Sequence, residues 1–101
     1  MMRIYFKDGV DFSEMDMDIW YAVSVVALVY EWKGARELVI TSGRDGNHME
    51  GSRHNDGRAV DLRTWNVPSD SLDSVVKTTE ELLGSKYDVV LEATHLHIEL
   101  A

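Results

Sequence analysis

The sequence predicts a small single α+β domain in which two main helices pack on an antiparallel sheet. Its 101 residues suit one domain, and 45% of them are hydrophobic, which is typical of a globular chain. Two segments carry helical apolar patterns with capping signals. Several shorter segments have the length and composition of strands.

The first predicted elements are a strand and a long helix. Residues 2–7 predict a short strand or an extended lead-in. Ser13 begins a Ser-Glu-Met-Asp segment close to a capping box, so we expect the helix to begin there and to end near Gly34. Its sequence is apolar on nearly all sides, which predicts a central, buried position.

A strand and a long polar loop follow. Residues 37–41 predict a buried strand, and residues 42–57 form a loop that contains Arg44, His48 and His54. A long loop without periodicity inside a small domain is usually functional or disordered. The histidines in it favour a functional loop.

The second half of the chain predicts one helix and three strands. Residues 58–64 alternate polar and apolar positions, as a strand does. Pro68 opens the second helix and Gly84 ends it. The last two strands are expected over residues 87–91 and 96–100.

Composition excludes several classes of function. The formal net charge is −8, which argues against a nucleic-acid binder and against attachment to an anionic membrane. The chain has no cysteine, so disulfides, thiolate zinc sites and a cysteine nucleophile are excluded. Residues 1–8 contain no apolar run of signal-peptide length, and we expect synthesis in the cytoplasm.

Two histidine-bearing segments and an aspartate could form a metal site. His54 lies at the end of the loop, Asp61 in the strand after it, and His95 and His97 on one face of the last strand. Imidazole nitrogen and carboxylate oxygen are zinc ligands, and catalytic sites use three of them. The alternative is that these side chains form only ordinary hydrogen bonds.

The motifs resemble those of a known enzyme family. The segment Ser-x-His-x-x-Gly-x-Ala-x-Asp over residues 52–61, followed by His-x-His, is similar to the zinc D-alanyl-D-alanine carboxypeptidase family. This family includes D-Ala-D-Ala dipeptidases and phage endolysin L-alanyl-D-glutamate peptidases. The strand and Ser-Gly-Arg segment over residues 40–44 also resembles the family. The resemblance covers residues 38–100 and implies a hedgehog/DD-peptidase-like fold.

The resemblance also implies roles for single residues. It implies one zinc ion per chain, bound by His54, Asp61 and His97. Arg44 matches the arginine that stabilises the oxyanion and contacts the substrate, and Ser52 matches a serine that binds substrate or orients the loop. His95 matches a histidine beside the site. Gly57 and Ala59 match two small structural residues of the loop.

The identity of the general base leaves alternatives open. The family usually has an acid three residues before the third ligand, but Thr94 occupies that position before His97. Glu92 stands three residues before His95, so either His95 is the ligand or Glu92 reaches in from further away. Thr94 would otherwise mark a lost base. Glu99 alternates onto the same face, and we expect it to be structural.

The resemblance implies a zinc metallopeptidase that cleaves peptidoglycan stem peptides or small D-amino-acid peptides, with Glu92, Arg44 and His95 as catalytic residues. An inactive module that binds peptidoglycan or a protein, and a metal-free structural domain, are the competing hypotheses. We expect a monomer that acts on the cell wall through phage lysis or tail machinery, or a cytosolic dipeptidase. Trp65 is expected in the core.

Overall fold

The computed structural model describes residues 2–45 and 52–101. In this part of the chain, two α-helices and a 3-10 turn accompany a five-stranded sheet, so the predicted α+β class is confirmed. The helices are α1 (Met17–Trp32) and α2 (Leu72–Leu83). The strands are β1 (Arg3–Phe6), β2 (Glu37–Ser42), β3 (Ala59–Arg63), β4 (Tyr87–Leu91) and β5 (His95–Leu100).

The strands lie in the order β1-β2-β3-β5-β4. All neighbouring pairs are antiparallel except β1 and β2, which are parallel. The sheet is therefore mostly antiparallel, and the parallel pair departs from the prediction. Its cause is the connection through α1, because a crossover of that length lets the chain return in the same direction.

The two faces of the sheet differ in chemistry. On β3 and β5, apolar side chains point to one face and are fully buried with the helices: Val60, Leu62, Leu96 and Ile98. Because strand side chains alternate, the residues between them point to the opposite face. That face carries Asp61 on β3 and both His95 and His97 on β5.

The first helix differs from its prediction at both its start and its environment. It is capped by Asp16, whose side chain accepts a hydrogen bond from the Asp18 backbone at 2.8 Å, whereas Ser13 hydrogen-bonds the side chain of Asp11 in the preceding turn. The helix is also not buried on all sides: Met17 is 77% exposed and Trp32 58%. It covers a single sheet, and within the described residues no further layer covers its outer side.

Neither of the helices in the described segments is long and apolar enough to cross a membrane. The middle of the predicted polar loop, including His48, lies outside the described residues.

Candidate metal centre

Three side chains from separate parts of the sequence converge on the open face of the sheet. Asp61 on β3 stands directly opposite His97 on β5, and His97 Nδ1 lies 2.8 Å from Asp61 Oδ1. His54 Nε2 reaches the same point from the loop, 3.3 Å from Asp61 Oδ1 and 3.3 Å from His97 Nδ1. The three ligand atoms lie within 4.8 Å of one another, so the group could hold a metal ion.

The loop holds His54 in one orientation. Its backbone N–H donates to Ser52 Oγ at 3.2 Å, and its Nδ1 lies 2.8 Å from the backbone oxygen of Gly43. A carbonyl oxygen can only accept, so Nδ1 carries a proton, and Nε2 is the ring nitrogen that faces Asp61 and His97. Histidine ligands of metals are commonly oriented in this way.

Glu99 holds His97 from the other side. His97 Nε2 lies 2.7 Å from Glu99 Oε1, while its Nδ1 faces Asp61. Glu99 therefore contacts a candidate ligand directly, and the purely structural role expected for it is incomplete. The signal was present in the sequence, because Glu99 alternates onto the face of His97, two residues away.

The charges of the cluster are strongly coupled. Burial by itself would raise the pKa of Asp61, but hydrogen bonds from His54 and His97 outweigh it and hold that pKa well below its usual range. The hydrogen bond to Asp61 is the main cause that raises the pKa of His97 to about 9, with burial opposing and Glu99 supporting the shift. Without metal, His97 is thus a cation held between two carboxylates.

His95 and Glu92 lie beside the three candidate ligands. His95 Nε2 is 3.7 Å from Asp61 Oδ2 and 3.5 Å from Glu92 Oε1, and its Nδ1 is 3.1 Å from Thr94 Oγ1. Of the two alternatives for the third ligand, His97 belongs to the group that could hold a metal ion. His95 thereby connects Glu92 to Asp61.

The partners of Arg44 lie outside the three candidate ligands. Its guanidinium forms an ion pair with Glu14 at 3.0 Å and contacts the backbone oxygen of Asn55 at 3.5 Å. The structure therefore does not bring Arg44 to the three candidate ligands, and its role at the oxyanion stays a prediction.

Gly57 is the point where the loop packs against the segment before α1. It has φ +71°, and a Cβ there would lie 2.8 Å from the backbone oxygen of Glu14. Its own oxygen accepts a hydrogen bond from the Asp16 backbone at 2.9 Å. Gly57 thus packs against the segment that leads into α1.

A polar cleft of about 240 Å³ adjoins the cluster, and Asp61 and His95 belong to its lining. Trp65 lines it too and is 71% exposed, so the expectation that Trp65 lies in the core is wrong. Trp65 follows the end of β3, where the chain leaves the sheet, and its ring packs under the guanidinium of Arg63 at 4.6 Å.

The donor set fits zinc or a similar divalent ion. Two imidazole nitrogens and one carboxylate oxygen are three protein ligands, which leaves a position for water. Ligands at the usual zinc distances in a tetrahedron are about 3.3 Å apart. Both separations from His54 Nε2 are 3.3 Å, and the shorter third separation is the hydrogen bond between Asp61 and His97.

Comparison with known proteins does not assign the chain to a family. No protein-family model matches it, and no curated protein is significantly similar in sequence.

Proposed function

We propose that this protein is a zinc metallopeptidase that cleaves peptidoglycan stem peptides or other peptides containing D-amino acids. The observation that carries the proposal is the convergence of His54 Nε2, Asp61 Oδ1 and His97 Nδ1, which lie 2.8–3.3 Å from one another. The motif resemblance, rather than the geometry, supplies the substrate class.

Each histidine ring is also held by a contact at its outer nitrogen, and these contacts favour a metal site over a set of ordinary hydrogen bonds. The far nitrogen of His54 is bonded to the Gly43 carbonyl and that of His97 to Glu99, so both rings present their remaining nitrogen to Asp61. Three buried or half-buried polar groups at one point are costly unless their charges are matched. A divalent cation would match them.

In this proposal each residue has a distinct task. His54, Asp61 and His97 would hold the zinc, which would supply a Lewis acid and lower the pKa of bound water towards neutrality. The Glu92 carboxylate takes the proton of the attacking water and returns it to the leaving amine. His95, between Glu92 and Asp61, orients Glu92 and donates to charge that develops on the substrate oxygen.

Metal content tests the first part of the proposal. The purified chain is loaded with zinc, desalted and analysed for metal. About one zinc per chain is expected, with loss in Asp61→Ala and retention in the control Asp73→Ala, an exposed carboxylate on α2. No bound zinc in the wild type would overturn the proposal.

Turnover tests the second part. Zinc-loaded protein should release peptides from cell walls and stop when a chelator is added. Glu92→Gln should abolish release while zinc stays bound, since it removes the base and keeps the ligands. Full activity in Glu92→Gln would remove Glu92 from the mechanism. Zinc binding without any hydrolysis by the wild type would favour the inactive binding module.

A further inference from the structure

The cleft beside the candidate metal centre spans four neighbouring strands. Lys7 lies just after β1 and is anchored by its backbone N–H, which donates to Ile40 at 2.9 Å. Thr41 comes from β2, Arg63 from β3 and His95 from β5. Arg63 and His95 are directly opposite each other in the sheet.

The lining carries an excess of positive charge. Lys7 and Arg63 contribute two cations, and Asp61, a candidate metal ligand, contributes the carboxylate. Among the described residues, neither Lys7 nor Arg63 forms an ion pair, although the whole chain has a net charge of −8. Two cations that face a cleft in an acidic protein favour an anionic ligand.

Arg63 is held in a conformation suited to binding a carboxylate. Its guanidinium lies 4.6 Å from the centre of the Trp65 ring, and this contact restricts the side chain while leaving its N–H groups free to donate. A planar guanidinium binds a carboxylate through two parallel hydrogen bonds, and a lysine adds a point charge.

We propose that Lys7 and Arg63 bind a carboxylate of the substrate and thereby determine which acidic peptides the metal centre cleaves. The inference rests on the proposed peptidase function and adds its specificity. Arg63 and Asp61 are two residues apart on one face of β3, which is about 7 Å. One residue of an extended peptide covers about 3.3–3.6 Å, so the carboxylate lies within two residues of the scissile bond.

The experiment uses paired peptides that differ only in one charge. The first pair is N-acetyl-D-alanyl-D-alanine and its C-terminal amide, which tests a terminal carboxylate. The second pair carries D-glutamate or D-glutamine before an amidated C-terminus, which tests a side-chain carboxylate. Binding to the full chain is followed by NMR through the Trp65 indole N–H, in chelator and after zinc loading.

We expect the acid of at least one pair to bind about tenfold tighter than its neutral partner, since a charged hydrogen bond adds that much. Lys7→Gln and Arg63→Gln should each lose most of this preference. The controls are Lys77→Gln on α2 and Arg36→Gln before β2, which remove the same charge at exposed positions elsewhere. Both controls should keep the preference for the acid.

The two proposals fail separately. The carboxylate site would be overturned if the wild type preferred neither acid, even if cell walls are cleaved. It would also be overturned if the preference were unchanged in both Lys7→Gln and Arg63→Gln. A preference that depends on Lys7 and Arg63 in a protein that cleaves nothing would leave the carboxylate site standing and remove the peptidase function.

Discussion

At the scale of single residues, the candidate centre depends on partners that do not themselves bind the metal. Glu99 illustrates this, because its carboxylate fixes the ring of His97 through Nε2 at 2.7 Å. A carboxylate in this position selects the tautomer and raises the basicity of the ligand.

Replacing Glu99 by glutamine should therefore weaken zinc binding by roughly 10–100-fold without unfolding the protein. A competition titration with a coloured chelator measures the affinity. Glu80→Gln, an equally conservative change at an exposed position on α2, should leave it unaltered. Equal affinities in the wild type and Glu99→Gln would show that Glu99 does not support the ligand.

The protonation state of His97 leads to a second prediction. Its pKa is raised to about 9 in the metal-free protein, so at pH 7 the ring is charged and zinc must displace a proton. The pKa of Asp61 is lowered, so Asp61 is already ionised and releases none.

Zinc binding at pH 7 should therefore release about one proton from His97, and the release should decline as the pH passes 9. Titration calorimetry in buffers of different ionisation enthalpy measures the number directly. His97→Gln, which lacks the titrating ring, should lose this released proton. Release of clearly less than one proton at pH 7 would contradict the assignment to His97, because zinc-bound water can only add to the number.

At the scale of elements, the loop is positioned through its contact with the segment before α1. Gly57 has φ +71° and almost touches the backbone of Glu14, whereas Gly9 has φ +87° and open space around its Cα. The pair separates the effect of backbone conformation from the effect of close packing.

Gly57→Ala should cost clearly more stability than Gly9→Ala. The left-handed conformation costs both variants about 1–2 kcal/mol, and only at Gly57 must the Glu14 backbone also move. Urea unfolding measures the difference. Gly57→Ala should in addition weaken zinc binding, because His54 lies three residues earlier in the same turn. Equal losses in the two variants would mean that the loop does not depend on this contact.

The sequence predicted local features of the elements well and their surroundings poorly. The period of two in β5 placed His95 and His97 on one face, and both contact Asp61. Alternation is a property of any strand, so no tertiary information was needed. By contrast, the apolar pattern of α1 describes the helix alone and cannot show that only one sheet covers it.

Contacts between distant segments explain the remaining differences. The resemblance predicts that Arg44 acts at the oxyanion, yet its partner is Glu14, a residue with φ +52° that no helical or strand pattern predicts. Trp65 is as apolar as a core residue, but it follows the last residue of β3 and lies at the surface. The pairing of Asp61 with His97 is also a matter of register, which only the assembled sheet fixes.

At the scale of the whole molecule, the candidate metal centre makes the free energy of unfolding depend on pH. The folded protein holds the His97 proton more tightly than the unfolded chain, since its pKa is about 9 against an ordinary 6.5. Stabilisation from this proton is complete below pH 6.5 and is lost as the pH rises through 9. Tyr30 does not interfere in this range, because burial raises its pKa well above it.

Metal-free protein should accordingly lose roughly 2–3 kcal/mol of unfolding free energy between pH 6 and pH 9.5. Zinc-loaded protein should not, because the metal replaces the proton on His97, and zinc binds more tightly once protons no longer compete. The stabilisation by zinc should thus grow across this range. Urea unfolding with chelator and with zinc measures both curves. An unfolding free energy of the metal-free protein that rises with pH would show that the charge of His97 does not hold the cluster together. An unfolding free energy that does not change with pH in His97→Gln would assign the effect to that side chain.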